Sequence, residues 1–181
     1  MAERSSGSVA EEPAYHVRRA TVTDASALIR LLGQLIQETD FLGPQPGEQV
    51  LSAERLAEHI GMRTAGEHGI IVIASAGGQL VGYIEAHSGQ FRAIRHSCNI
   101  LGVGVLKASQ GRGVATAMFQ KLRDWGAEHG KHRFMLTVRA DNVPALALYE
   151  RQGFKREGLL ERQVFMGGRY RDEYMMALWV D

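Results

Sequence analysis

Cysteine is nearly absent from this chain: Cys98 stands alone among 181 residues. A lone thiol excludes an internal disulfide framework and a cysteine-rich zinc module, and it fits a reducing compartment. Lysine is scarce too, with Lys107, Lys121, Lys131 and Lys155 the full set and arginine supplying the other side-chain cations. The 21 basic and 20 acidic residues leave a formal net charge of +1, so no bulk positive field draws the chain to nucleic acid or to anionic lipid. Apolar runs such as Ile70 to Ala74 fall far short of the about 20 residues that span a bilayer. No Gly-x-Ser-x-Gly elbow occurs, which argues against a serine hydrolase. What remains, 45% hydrophobic and 23% charged, is an ordinary globular composition at a length that suits one domain. Met1 to Pro13 is polar, small and weakly acidic, without the apolar centre of a signal peptide. It reads as a flexible tail ahead of a single domain over residues 14–181, with the cytoplasm as the expected location.

Periodicity sets the order of elements. Tyr15, Val17 and Arg19 alternate with His16, Arg18 and Ala20 as a short strand. Thr23-Asp24 offers an N-cap to Leu28, Ile29, Leu31, Leu32, Leu35 and Ile36, which fall at helical spacing. Phe41 to Gly47 is a loop, and Ser52-Ala53-Glu54 leads into a second helix through Leu56 and Ile60. Ile70 to Ser75 and Leu80 to His87 pair as a hairpin through Gly77-Gly78. His96 to Leu106 is a long strand interrupted by Gly102 and Gly104, and glycine there marks a bulge or the close approach of a backbone or ligand. A helix follows through Val114, Met118, Leu122 and Trp125, then a strand over Phe134 to Val138 and a short helix over Pro144 to Gln152. Phe154 to Val164 and Tyr174 to Val180 close the chain around the turn Met166-Gly167-Gly168-Arg169. Helices scattered among antiparallel-looking strands make this an α+β fold.

Gln110-Gly111-Arg112-Gly113-Val114-Ala115 lies between a strand and a helix. A helix start leaves backbone N–H groups unpaired and carries partial positive charge. Glycines let that backbone close on a phosphate, and Arg112 adds a cation. The nucleotide motifs do not fit. Arg112-Gly113-Val114 stands where a Walker loop needs glycine, lysine and a hydroxyl residue, and Thr116 occupies the third glycine of a dinucleotide fingerprint. Taken as isolated glycines, the segment is equally well explained as a structural turn. Further on, Asn142 stands at an N-cap position. Tyr149 follows seven residues later, about two helical turns, so both residues share a side. A core tyrosine is the alternative there.

Gln110-x-x-Gly113-x-Ala115 after a strand, followed by Asn142-x-x-Ala145-x-x-x-Tyr149-x-x-x-Gly153-Phe154, resembles the GCN5-related N-acetyltransferase (GNAT) superfamily, from about Val17 to Trp179. The closing Gly168 to Met176 hairpin is similar to that of many bacterial members. The resemblance implies a twisted, mostly antiparallel sheet flanked by helices and splayed between its fourth and fifth strands, here His96 to Leu106 and Phe134 to Val138. It implies acetyl-CoA in that gap as co-substrate, with no metal. Main-chain groups at Val103 and Val105 would pair with the pantetheine arm, which would give the strand glycines their reason. N–H groups of Gln110, Gly111, Arg112, Gly113, Val114 and Ala115 would hold the pyrophosphate, Asn142 would bind the pantetheine side, and Tyr149 would reach the sulfur. One departure is Lys107, where many members carry proline.

Acetyl transfer to an amine requires a deprotonated amine, a polarised thioester carbonyl and a stabilised thiolate. A thiol near ~8.5 and a phenol near ~10 are closely matched, so Tyr149 is the expected general acid, with a main-chain N–H at Val105 facing the carbonyl. Alternation puts Tyr83, Glu85 and His87 on one face. Glu85 is the first candidate base, with a salt-bridged or solvent-facing glutamate as the alternative and His96 and Asn99 as lesser candidates. His129-x-x-His132 lacks carboxylate or thiolate support for a metal, and Cys98 reads as a buried inert thiol. The reading is therefore an N-acetyltransferase acting on a primary amine of a small molecule or peptide, the alternative being a non-catalytic acyl-CoA sensor. The acceptor pocket is expected around Gln37 to Gly47 and Met166 to Asp172. Phe41, Tyr170 and Tyr174 would line it, and Glu38 and Asp40 would draw a cationic amine. Homodimerisation through the closing strands follows from the resemblance.

Overall fold

The computed structural model describes residues 15–42, 48 and 51–180. The expected tail, Met1 to Pro13, and the part of the expected loop at 43–47 lie outside the described residues. The chain runs β1 (His16–Arg19), α1 (Ala25–Glu38), α2 (Ala53–Thr64), β2 (Gly69–Ala76), β3 (Gln79–Ser88), β4 (Ser97–Val105), α3 (Val114–Glu128), β5 (Arg133–Arg139), α4 (Val143–Arg151), β6 (Lys155–Met166) and β7 (Arg169–Trp179). The strands form one seven-stranded sheet in the order β1-β2-β3-β4-β5-β7-β6. All neighbours are antiparallel except β4 and β5, which are parallel.

Local chemistry places the boundaries. Gly77-Gly78 and Gly167-Gly168 all take positive φ, which two-residue hairpins of this twist require. The second turn is so tight that β7 begins five residues before the expected Tyr174. The start of α1 also differs from expectation. A short 3₁₀ turn at Val22–Asp24 precedes it, and Asp24 accepts the Thr21 N–H at 2.8 Å. Ser52 caps α2 by accepting from the Arg55 N–H.

The sheet carries a core on each side. α3 and α4 cover one face through Met118, Phe119, Leu122, Trp125 and Leu146, packed on Val72, Ile84, Ile100, Phe134 and Met176. α1 and α2 cover the other through Leu28, Leu31, Leu35, Leu56 and Ile60, packed on Ile71, Ile73 and Tyr83. No residue of β5, β6 or β7 joins this second cluster. On that side of β5 and β7, Ala177 and Arg139 are buried, and Asp40 and Phe41 lie against Arg139.

Candidate functional site

The strands β4 and β5 pair only over Ser97–Asn99 and Arg133–Met135. Beyond Asn99, β4 follows β3 to Val105 while β5 follows β7 to Arg139. A register shift at Glu85/Ala86 leaves Leu101 without a partner on β3, and such a bulge bends and twists its strand. The result is the expected splay, closed at Ser97 and open at Val105. The Leu106 N–H donates to Val81 O at 2.9 Å. Antiparallel alternation then turns the main-chain groups of Val103 and Val105 away from β3, into the gap. Val105 O already accepts from Gln110 Nε2 at 2.9 Å.

The strand glycines have a different reason from the one expected. A Cβ on Gly102 would stand 2.5 Å from Tyr83 Oη, and one on Gly104 would stand 2.6 Å from Leu35 Cδ1 and 3.1 Å from Tyr83 Cε1. The Tyr83 ring lies across both glycines. Close approach of a side chain on the α1/α2 side, not of a ligand in the gap, demands them.

At the open end of β4 the chain turns through Lys107–Ser109 into the glycine motif. Gly111 has φ +73° and Gly113 has φ +81°, a left-handed backbone that only glycine adopts freely. Gly113 caps α3, whose first main-chain bond runs from Ala117 N–H to Gly113 O at 3.0 Å. The N–H groups of Val114, Ala115 and Thr116 are therefore without intrahelical partners. Gln110, Gly111, Arg112 and Gly113 are exposed and the Val114 side chain is buried, so the turn is anchored from below and open above. This arrangement fits an anion held by main-chain donors.

Asn142 caps α4, its Oδ1 accepting the Ala145 N–H at 3.3 Å. Two turns on, Tyr149 is 8% exposed, with Phe119 and Phe154 ring centroids at 6.0 and 5.8 Å. Burial raises its phenol well above the ordinary tyrosine range, and the charge of Tyr83 adds to the rise. Tyr83 is itself pushed up to about 12 by burial and then by Glu85. The two tyrosines belong to opposite cores of the sheet.

Glu85 stands opposite Gly102 on the α1/α2 side. Its Oε1 meets His59 Nε2 at 2.7 Å and accepts from Arg63 Nε at 3.1 Å, while Oε2 takes no bond among the described residues. The salt-bridged alternative thus describes one oxygen and leaves the other available. His59 and Arg63 were missing from the sequence reading, although their spacing of four on α2 places them on one side. His87 lies farther along the same strand face, its Nδ1 buried without a partner among the described residues and its pKa lowered by burial and by the charges of Arg63 and His59.

The lesser candidates fall at the closed end. His96 stacks on Trp179 at 6.3 Å and accepts the His132 N–H through its carbonyl, and Asn99 is the last paired residue. Burial pushes the Cys98 thiol up to about 11. His129 Nδ1 donates to Trp125 O at 2.8 Å, capping the end of α3.

The expected acceptor walls meet at Arg139, which periodicity did not reveal. Arg139 forks onto Asp141 at 2.9 and 2.8 Å, donates to Asp40 O at 2.9 Å, and touches Met166 Sδ at 3.5 Å. Its guanidinium lies 4.4 Å from the Phe41 ring centroid. One buried arginine thus ties the segment after α1 to the β6–β7 turn. Glu38 is engaged by the Lys107 N–H at 2.7 Å. Tyr174 does not line this groove, because it pairs with Val138 on the α3/α4 side and lies under Arg156. Tyr170 shares its parity on β7 and packs against Phe165.

The model of the Acetyltransferase (GNAT) family matches residues 35–154. The L-amino acid N-acetyltransferase AaaT of Escherichia coli is 30% identical over 89% of this chain and 95% of its own. The N-alpha-acetyltransferase RimI of Mycobacterium tuberculosis is 37% identical over 86% of this chain and 87% of its own. A GNAT-family acetyltransferase from Streptococcus pneumoniae superposes with a TM-score of 0.87 at 24% identity, covering 92% of this chain and 99% of the other. A putative acetyltransferase from Salmonella typhimurium, solved with its cofactor acetyl-CoA, superposes at 0.78 with 20% identity, covering 93% of this chain and 95% of the other.

Proposed function

The chain belongs to the GNAT family of acetyltransferases and transfers acetyl from acetyl-CoA to an amine, and from that premise we propose which of its residues do so and on what kind of amine. The parting of β4 from β5 with Val103 and Val105 turned into the gap carries the reading. A pantetheine arm laid there completes the main-chain pairing that β4 lacks on this side. The N–H groups from Gln110 to Ala115 hold the pyrophosphate, and the open, left-handed glycine turn fits that load. Arg112 adds a charge-assisted contact from the rim. Asn142 borders the pantetheine side at the start of α4.

Acetyl-CoA supplies the reactive thioester, and this chain's residues manage charge and protons around it. Glu85 takes a proton from the acceptor ammonium through its uncommitted Oε2, directly or by way of water, which frees the nitrogen lone pair. The Val105 N–H faces the carbonyl oxygen as negative charge develops. The C–N bond forms and the C–S bond breaks as Tyr149 hands its proton to the leaving sulfur, and the second proton shed by the nitrogen passes through water to restore the phenol. The burial that raises the phenol also raises a thiolate beside it, so the match between donor and acceptor is kept.

AaaT is named for L-amino acids and RimI for N-alpha-acetylation, and both point to an α-amine as the acceptor. The groove beside α1 and α2 admits it opposite the gap. The chain acts as a single domain over residues 14–181. No described helix is long and apolar enough to cross a membrane, and the buried free thiol suits a reducing cytoplasm. Thiol release from acetyl-CoA in the presence of free L-amino acids and short peptides tests the acceptor class. Release only with amines that carry no α-carbon substituent, such as polyamines, would reject it. Calorimetric titration with CoA tests the cradle separately.

A further inference from the structure

The glycine turn ahead of α3 has one side chain from a distant segment standing over it. A Cβ on Gly113 would meet the Tyr15 hydroxyl at 3.2 Å. Beyond its chain neighbours, no other described atom lies within 4 Å of that point, and a Cβ on Gly111 would meet nothing. The turn is therefore bare except for one phenolic oxygen. Register brings it there. Val17 pairs with Ala74, and both sit on the α3/α4 core. Alternation turns Tyr15 to the same side, where it packs against that core. The antiparallel run from β1 to β4 brings the start of β1 and the end of β4 to one edge of the sheet.

The hydroxyl is not engaged elsewhere. It makes no hydrogen bond to any described residue, and it is not one of the buried side-chain atoms left without a partner, so it meets solvent. Nor does it cap α3, because no bond joins it to the N–H groups of Val114, Ala115 or Thr116. Donors that stand side by side without bonding one another suit a shared acceptor. The spacing permits one. The Gly113 nitrogen lies about 2.5 Å from its Cβ position, so Tyr15 Oη is within about 6 Å of it. An oxygen held by an N–H at about 2.9 Å and an O–H at about 2.7 Å bridges donors up to about that distance apart.

We propose that Tyr15 is a cofactor-binding residue, its hydroxyl donating to the diphosphate of CoA beside the N–H groups that open α3. A phenol is neutral and bonds only along its O–H, and an anionic oxygen is a strong acceptor for it. Packing already fixes the ring, so little side-chain freedom is lost when the bond forms. Arg112 is exposed on the turn itself, and the freedom it gives up on binding is correspondingly greater. This inference rests on the reading that the glycine turn holds the diphosphate.

The test is calorimetric titration of the full chain and of Tyr15→Phe with CoA and with dephospho-CoA, which keeps the diphosphate and lacks the 3′-phosphate. Phenylalanine retains the ring packing and deletes only the hydroxyl. Its Kd for CoA is expected to rise about 5–20-fold, the value of one hydrogen bond to a charged group. The rise should be the same factor for dephospho-CoA, with Tm within about 3 °C of the unaltered chain. Equal CoA affinity in the two proteins overturns the proposal and leaves the cradle standing. A rise with CoA but not with dephospho-CoA overturns it too, because the hydroxyl then serves the 3′-phosphate. No CoA binding by the unaltered chain overturns the cradle and the proposal together. A crystal of the unaltered chain with CoA needs no variant: Tyr15 Oη within about 3.2 Å of a diphosphate oxygen supports the proposal, and a separation beyond about 4 Å overturns it.

Discussion

The Glu38 carboxylate accepts the main-chain N–H of Lys107 at 2.7 Å, tying the last residue of α1 to the segment that leads into the glycine turn before α3. Proline, which the family resemblance leads one to expect at that position, has no N–H to give. Leu106 has φ −54° and ψ 140°, the extended conformation that a following proline requires. Lys107→Pro therefore fits the backbone and removes one bond between exposed groups, worth the low end of about 0.5–1.5 kcal/mol. The stiffer unfolded chain offsets that by about 0.4–1 kcal/mol. The expected outcome is a Tm within about 3 °C of the unaltered chain and CoA affinity within about threefold. A larger fall in either would show that the Glu38 link organises the cradle rather than merely bordering it.

Tyr83 and Gly102 are matched to each other. An alanine methyl at Gly102 would stand 2.5 Å from Tyr83 Oη, 3.1 Å from Cζ and 3.2 Å from Cε2. The ring must shift, and such overpacking costs about 1–3 kcal/mol. Removing the hydroxyl relieves the nearest contact and leaves the ring. Gly102→Ala should thus destabilise less in a Tyr83→Phe background than alone, by about 0.5 kcal/mol or more in a urea-unfolding cycle. Additive costs would mean that the two residues do not press on each other.

This pairing also marks where the sequence stops being legible. The glycine turn ahead of α3, the Asn142 cap and the Tyr149 helix are local patterns, and each of them formed where spacing placed it. The positive-φ turns were readable because glycine pairs have few other uses. The partners that define the groove come from distant segments. Arg139 meets Asp40 across 99 residues and Met166 across 27, and no periodicity encodes either contact. The glycines of β4 were visible, but their cause was not, because a ring from the neighbouring strand and a ligand from the gap leave the same mark in sequence. Tyr174 was misplaced for a related reason: its side of the sheet depends on β7 register, which hydrophobic pattern alone did not fix.

Tyr149→Phe keeps the ring contacts with Phe119 and Phe154 and deletes only the hydroxyl. Turnover should fall by about 100-fold, while CoA affinity and Tm stay near those of the unaltered chain. Because the phenol titrates well above its ordinary range, it stays protonated throughout the usable alkaline range. The alkaline limb of kcat should therefore show no loss from tyrosine ionisation up to about pH 10. A limb falling near pH 10 that disappears in the phenylalanine variant would mean that the phenol is wetter than the structure has it. Unchanged turnover would remove Tyr149 from the chemistry altogether.

Asp24 offers a test of the scaffold that carries the α1 side of the groove. Its carboxylate receives a fork from Arg18 at 2.7 Å on each oxygen, and the N–H and hydroxyl of Thr21 at 2.8 and 2.9 Å. The Arg18 bonds above all lower its pKa to about 2, burial opposing and Thr21 assisting, from an ordinary value of 3.8. The unfolded chain takes up this proton near 3.8 and the folded chain only near 2, so the stabilisation is complete above about pH 5 and is lost as pH falls through 2. Its size at neutral pH is about 2 kcal/mol. Asp24→Asn has no such proton to gain. The difference in urea-unfolding free energy between the unaltered chain and this variant should be about 2 kcal/mol at pH 7, hold to pH 5, and narrow between pH 4 and pH 3. A constant difference over that interval would mean that the asparagine costs stability through packing or lost geometry rather than through the ion pair, and that the joint between β1 and α1 does not depend on charge.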